Sequence, residues 1–313
     1  MQAAPPNLPR ALVTGATGLI GRRLVANLPG AVVLGRDPAK ARAIWPSTQA
    51  MAWSPDSGPP PAAAFAEVEV VYHLAGEPLG DGRWTSEKKR RIRDSRVLGT
   101  RNLVAGLAAL EHKPRVLVSA SAVGYYGDRG EQELDEGSPA GHGFLAEVCA
   151  AWEREARAAE ALGMRVACVR SGFVLSSEGG ALAKLLGPFR LGLGGKLGDG
   201  GQWMSWIHID DVLGILLHAS REAQVSGPIN AVGPRPVTNA ELTRTLGRVL
   251  RRPTLLPVPG FALRAALGEM SELVTASQRV LPKVAERTGY VFEHAELEAA
   301  LIALLAPRTR RPG

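Results

Sequence analysis

One stretch constrains this chain more than any other: Val13-Thr14-Gly15-Ala16-Thr17-Gly18-Leu19-Ile20-Gly21. It follows an apolar run, Ala11-Leu12-Val13, that reads as a buried strand. It leads into residues 22–28, which read as a helix ending at Pro29-Gly30. A second apolar strand, residues 31–34, follows at once. Glycines let the backbone come close to a ligand, and the first N–H groups of a helix have no intrahelical partner, so such a junction attracts phosphate. A glycine pattern alone is weak evidence, because tight turns use glycine too. With a strand before it and a helix after it, the pattern reads as a dinucleotide-pyrophosphate site. Gly15, Thr17, Gly18, Leu19 and Ile20 are the residues expected to face the cofactor.

The rest of the first half alternates apolar strands with helical stretches, the pattern of an α/β, doubly wound parallel sheet of Rossmann type. Residues 68–74 form the next clear strand and 86–110 a long amphipathic helix. Strands at 115–119 and 165–170 flank a helix over 144–162, for which Gly163 is the stop. The Pro/Ala-rich segment 55–64 reads as a surface loop. From Ser171 onward glycine and proline become frequent and the elements short and mixed, with helices expected at 211–220, 239–251, 260–267, 277–288 and 295–305. The expected division is a cofactor-binding domain over 1–170 and a smaller mixed α/β cap over 171–313. The cap should close a cleft at the carboxyl ends of the strands.

Composition narrows the class. The chain has 313 residues, 45% of them hydrophobic, enough for one large domain or two unequal ones. The net charge of +7 is concentrated in Lys88-Lys89-Arg90-Arg91-Ile92-Arg93, Arg96 and the tail at Arg308, Arg310 and Arg311. No recognition motif accompanies that charge, so nucleic acid is not an expected partner; some of these cations suit an anionic cofactor or substrate. No apolar run is long enough to cross a bilayer, and residues 1–7 lack the apolar core of a signal peptide. Cys149 and Cys168, the two cysteines, sit in apolar settings and read as buried thiols of a cytoplasmic protein. The expected ligands are a cofactor and a small-molecule substrate of unidentified class. No metal is expected, and a homodimer or a protein partner is left open.

Side chains near the strand ends refine the cofactor. A site that prefers the unphosphorylated dinucleotide usually has an acidic residue after the second strand. Here Gly35-Arg36 stands there, and a guanidinium suits a 2′-phosphate, which favours NADP(H). Asp37 beside it is either a helix cap or a weak ribose ligand. Leu74-Ala75-Gly76, with Glu77, ends a strand in small residues over which the cofactor can pass. Ser119, Arg96 and Arg170 complete the expected cofactor-binding set. His208 precedes a helix that Asp210 or Asp211 would cap; it is either catalytic or, more commonly for such a residue, a hydrogen-bonded structural histidine. Residues 188–195, rich in glycine and carrying Arg190, read as a loop that lines a pocket or serves as a linker.

Gly15, Gly18 and Gly21 have the GxxGxxG spacing of the short-chain dehydrogenase/reductase superfamily. Ser119-Ala120-Ser121-Ala122-Val123-Gly124-Tyr125-Tyr126-Gly127 is similar to the Ser-Ser-x-x-Val-Tyr-Gly of its extended members, with one residue extra. By that resemblance Ser121 matches the serine that bonds the reacting oxygen, and Tyr126 the tyrosine of Tyr-Gly. The superfamily's catalytic pair, a tyrosine followed four residues later by a lysine, falls on Phe144/Val148 or Leu145/Cys149, so neither register supplies a phenol or an ammonium. Together with Arg83-Trp84-Thr85, residues 188–195 and Trp206-Ile207-His208-Ile209-Asp210-Asp211, these strings resemble one group, the "epimerase family proteins", sometimes labelled SulA-like cell-division inhibitors. Residues 253–304 are similar to that group's C-terminal domain of unknown function. The resemblance implies an NADP(H)-binding Rossmann fold and leaves two functions. One is an oxidoreductase or epimerase-like enzyme in which Ser121, Tyr126 or Tyr125 donates the proton, tuned by Glu77 or Arg96. The other is a dinucleotide-binding regulator with little turnover.

Overall fold

Short strands buried on both faces are the mark of a parallel sheet covered by helices, and Ala11–Thr14 and Val70–His73 are each buried along their whole length. In the computed structural model, which describes residues 9–306, they belong to a seven-stranded parallel sheet. Its strands are β1 (Ala11–Thr14), β2 (Val32–Gly35), β3 (Gln49–Ala52), β4 (Val70–His73), β5 (Val116–Ala122), β6 (Arg165–Ser171) and β7 (Gly227–Ala231). They lie in the order β7-β6-β5-β4-β1-β2-β3. The chain winds from β1 out to β3, returns to the other side of β1, and winds out to β7. The order reverses between β1 and β4, and a doubly wound sheet opens its ligand crevice at the carboxyl ends there.

Helices α1 (Leu19–Ala26), α2 (Pro38–Ile44), α3 (Ser86–Ala108), α4 (Phe144–Arg157), α5 (Gly180–Arg190), α6 (Ile209–Arg221), α7 (Asn239–Leu250) and α8 (Gly260–Leu267) follow in chain order. Alternate strand residues point to opposite faces, so Val13 and Val118 pack with Leu24 of α1 and Val212 and Ile215 of α6. Leu12 and Leu117 pack instead with Leu103 and Leu107 of α3 and Ala156 of α4. A third apolar cluster joins α5 and α7 to Leu297, Ala300 and Leu301 near the C-terminus.

Several expectations change. The division at 170/171 does not divide the core, because β7 pairs with β6 and α6 packs on the sheet. Strand β3 was not legible: only Ala50 of its four residues is buried. The segment 55–64 is more than a surface loop, since Ala64 and Phe65 are buried within the 3-10 turn Ala62–Phe65 and Trp53 Nε1 donates to the Gly58 carbonyl. No single helix spans 277–288. Arg279–Val280 pairs with Glu133–Leu134, and Pro282, which cannot continue a helix from that side, limits the helix to Lys283–Arg287. α5 takes in Pro188 and ends at Arg190, so the loop starts later than expected. Lys88, Lys89 and Arg91 of the basic run each face a carboxylate, of Glu77, Glu269 and Glu87. Among the described residues no helix is long and apolar enough to cross a membrane. Residues 1–7 and the tail at Arg308, Arg310 and Arg311 lie outside the described residues.

His73 ties the crevice together from below. Its Nδ1 meets Thr14 Oγ1 at 2.8 Å and its Nε2 meets Thr100 Oγ1 at 2.9 Å, linking β1, β4 and α3. Burial lowers its pKa from 6.5 to about 4. The folded value lies below the unfolded one, so the stability from keeping this ring neutral is complete above pH 6.5. It is lost progressively as pH falls to about 4. That loss is about 3 kcal/mol, from about 1.4 kcal/mol per pKa unit. In His73→Asn the fall of the urea midpoint across this window should be visibly shallower than in wild type; an unchanged fall would remove His73 as its cause.

Neither Asp210 nor Asp211 caps α6. The cap is His208, whose Nδ1 accepts the Asp210 amide at 3.1 Å. Asp211, fully buried, accepts from Tyr290 Oη (3.0 Å) and the amides of Glu293 (2.8 Å) and His294 (3.0 Å). Removing the carboxylate strands two amides and a phenol, at about 1–3 kcal/mol for each group left buried. Asp211→Ala should therefore release residues 290–304 to limited proteolysis before the sheet unfolds; equal resistance in the variant would deny this anchor.

Candidate dinucleotide site

The glycine turn is shaped by three close approaches. Gly15 has φ +68°, and a Cβ there would lie 2.5 Å from the Leu74 carbonyl oxygen and 2.8 Å from the Ala75 nitrogen. A Cβ on Gly21 would lie 2.3 Å from the Gly15 carbonyl oxygen. The first glycine thus seats the turn on the end of β4, and the last lets α1 close against the turn. Gly18 is exposed, its amide donates to Gly15 O at 3.0 Å, and as N-cap of α1 it offers no side chain to the helix amides. Thr17, Leu19 and Ile20 are half-buried around it. Among the described residues no side chain caps the opening of α1, an arrangement compatible with an anion at the helix N-terminus.

At the end of β2, Arg36 is exposed and makes no hydrogen bond or ion pair among the described residues. Asp37 caps α2, accepting the Lys40 amide at 3.1 Å, with Pro38 in the first turn. Of the two roles open to Asp37, the cap is the one occupied. Across the crevice, Leu74 and Ala75 donate their amides to Thr14 O and Oγ1, both at 3.2 Å. Gly76 is exposed. Glu77 is fixed from α3: Ser95 Oγ accepts its amide, Arg96 Nη1 donates to its carbonyl at 3.0 Å, and Lys88 Nζ lies 2.8 Å from its carboxylate. The Lys88 hydrogen bond holds that carboxyl below its ordinary range. The Arg96 guanidinium also lies over the Trp152 ring, 5.2 Å from its centroid, and feels the Glu77 carboxylate electrostatically.

The serine strand differs from expectation. Ser119 is 1% exposed, sealed into β5 instead of facing the crevice. Ser121 Oγ donates to Glu153 Oε1 at 2.6 Å. Arg170 grips the same carboxylate at 2.8 Å through both Nε and Nη2, and its Nη1 donates to Tyr126 Oη at 2.9 Å. Tyr126 Oη in turn donates to Asn230 Oδ1 at 2.8 Å. Burial opposes the charge of Arg170, but the Glu153 bonds outweigh it and raise its pKa. Burial pushes the Tyr126 phenol up to about 12. Tyr126 is thus a poor acid, and Arg170 is a buried tie between β6, α4 and β7 in place of the cofactor ligand expected. Tyr125 stacks on Arg170, 3.5 Å from guanidinium to ring centroid. It lines a cavity of about 570 Å³ with Glu136, Ser138, Arg154 and Pro228, at β6 and β7, three strands along the sheet from β1.

Glu153 and Asn230 were missed in the sequence. The available signal was a carboxylate on the apolar face of α4, one turn after Cys149, with an arginine in an otherwise apolar strand. Of the two registers open for the superfamily's pair, Phe144/Val148 and Leu145/Cys149, one lies beside the serine turn. A Cβ on Gly124 would meet Leu145 Cβ at 3.3 Å and Cys149 Sγ at 3.9 Å. Phe144 turns instead to Trp84, ring centroids 5.4 Å apart. Leu145 and Cys149 therefore face the serine turn, and burial pushes the Cys149 thiol up to about 11, leaving it protonated.

Comparison with known proteins agrees with this geometry. Residues 11–233 match the family described as NAD dependent epimerase/dehydratase, and residues 258–304 match a domain of unknown function, DUF1731. The chain is 40% identical to the Mycobacterium leprae epimerase family protein ML0860 over 92% of this chain and 93% of that protein. It is 41% identical to the chloroplastic SDR39U1 homolog of Arabidopsis thaliana, over 94% and 86%. The crystal structure of human epimerase family protein SDR39U1 with NADPH superposes with a TM-score of 0.84 at 33% identity, covering 94% of this chain and 98% of that one. Fold, glycine turn and relatives agree: the chain belongs to the NAD dependent epimerase/dehydratase family, with a C-terminal DUF1731 segment.

Proposed function

We propose that this protein binds NADPH at the turn between β1 and α1 and acts as an oxidoreductase on a carbonyl or sugar-like substrate. The observation that carries the cofactor choice is the pairing at the end of β2. Among the described residues Arg36 is exposed and free of hydrogen bonds and close ion pairs, with only a longer-range attraction to Asp56, and Asp37 is already committed to its helix. An acidic residue free to take the ribose hydroxyls would favour the unphosphorylated form. The human relative solved with NADPH supports the same reading.

When bound, NADPH supplies a hydride to an electrophilic carbon. Gly15, Gly18 and the start of α1 would hold its pyrophosphate, Arg36 its 2′-phosphate, and Leu74 to Glu77 would floor the crevice. Of the three candidate hydroxyls, Ser121 is the one on β5; its proton rests on Glu153, and to bond a substrate carbonyl the hydroxyl would turn that proton from the carboxylate to the carbonyl oxygen. Arg96, whose guanidinium lies against Gly76 at the end of β4, is the cation placed to polarise a substrate oxygen. The two buried free thiols suit a reducing compartment, and the cytoplasm is the proposed location.

A second reading, a dinucleotide-responsive regulator, draws on Leu145 and Cys149 occupying the places of the usual proton donors. Incubating NADPH-loaded protein with carbonyl compounds and nucleotide sugars separates the two. Substrate-dependent loss of nicotinamide absorbance, weakened in Ser121→Ala, is the expected result for the enzyme. Saturable NADPH binding with no consumption across the panel would support the regulator.

A further inference from the structure

His208, Asp210 and His294 meet at the start of α6, outside the dinucleotide crevice, and one ligand atom from each lies within 4.8 Å of the others. His208 is 3% exposed, and its Nε2 is buried with no hydrogen-bond partner. The His294 ring stacks on it with centroids 3.6 Å apart and planes tilted by 34°. The three residues line a cavity of about 130 Å³ together with Arg23 and Ser177. An unpartnered polar atom in a buried site is costly, so a histidine with an orphaned ring nitrogen, grouped with a second imidazole and a carboxylate, asks for a ligand.

We propose that His208, Asp210 and His294 bind a divalent transition-metal ion of the zinc class, which ties the C-terminal segment to the helix that follows the serine-bearing half of the fold. Two imidazoles and a carboxylate are a zinc-type donor set, with room for a water as fourth ligand; calcium and magnesium prefer all-oxygen sites. Coordination through His208 Nε2 moves that ring's proton to Nδ1. The Asp210 amide then gives up its acceptor, and the Asp210 carboxylate leaves the Nδ1 side of the ring for the ion. Arg23 pairs with Asp210 and also with Glu178, at 3.2 Å, so it keeps an acidic partner when Asp210 turns to the metal. His294 belongs to the segment that Asp211 already anchors, and the ion adds a second tie at the same place. The site was not expected from the sequence because His294 lies 84 residues beyond Asp210. It does not depend on the function proposed for the crevice.

The test is titration of metal-free full-length protein with Zn²⁺ and Co²⁺. One equivalent should bind, raise the thermal midpoint, and give Co²⁺ the visible absorption of a low-coordinate nitrogen–oxygen site. His294→Ala and Asp210→Asn should each weaken binding by at least about tenfold, while His112→Ala, at an exposed position, leaves it unchanged. Circular dichroism of the variants checks that they are folded. Absence of stoichiometric binding, or binding indifferent to both His294→Ala and Asp210→Asn, would overturn the proposal.

Discussion

Replacing Gly15 with valine is expected to remove NADPH binding. The residue holds φ +68°, and its Cβ would stand 2.5 Å from the Leu74 carbonyl oxygen, a backbone atom of the neighbouring strand. A β-branched residue in that conformation carries strain of about 1–3 kcal/mol, and the clash cannot be relieved by a side-chain rotation. The turn must lift from β4, taking the Gly18 amide and the start of α1 out of register with two linked phosphates. Affinity should fall on the order of 100-fold or more, equivalent to about 2.8 kcal/mol. Gly30→Ala is the matching control: φ is +77°, but nothing lies within 4 Å of the added Cβ. It should lower stability by a similar strain and leave binding intact. If both variants bind NADPH like wild type, the turn is not the cradle.

Arg170→Met is expected to be the most destabilising single substitution in the serine half of the site. It leaves Glu153, 7% exposed, without its bidentate partner, and strips Tyr126 Oη of a donor. Breaking a buried pair by removing one member costs about 3–5 kcal/mol, because a lone charge stays in a medium that solvates it poorly. Glu153→Gln with Arg170→Met should recover a large part of that loss, since removing both charges avoids the orphan. Chemical denaturation of the two single variants and the double gives the coupling directly. Additive losses would mean that the pair is not coupled and that Arg170 acts elsewhere, for instance on the cofactor as its sequence position first suggested.

The glycine turn, where the cofactor is proposed to bind, was legible because its determinants are local. Gly15, Gly18 and Gly21 lie within one turn of chain, and the strand before and the helix after are written in adjacent residues. Arg36 and Leu74 to Glu77 follow from where parallel strands end. The other half depends on pairings that sequence spacing does not carry: Ser121 with Glu153 across 32 positions, Tyr126 with Asn230 across 104, His208 with His294. A tyrosine in a family-like string looks like a proton donor until its hydroxyl is found bonded to an asparagine and an arginine in a dry interior. Likewise β7 was assigned to the second region because glycine and proline surround it, although its residues fill the edge of the first region's sheet. Local chemistry specifies the turn, and only tertiary packing decides which side chains stay free to act.

The central assignment, a pyrophosphate on the glycine turn with Arg36 on a phosphorylated ribose, is tested most directly by titrating the full-length protein with NADPH and with NADH. NADPH should bind saturably and at least about tenfold more tightly, because charge-assisted hydrogen bonds to a phosphate contribute about 1.5–3 kcal/mol; in Arg36→Ala the two affinities should converge. No binding of either nucleotide at millimolar concentration would contradict the assignment, and tighter binding of NADH would contradict the role given to Arg36.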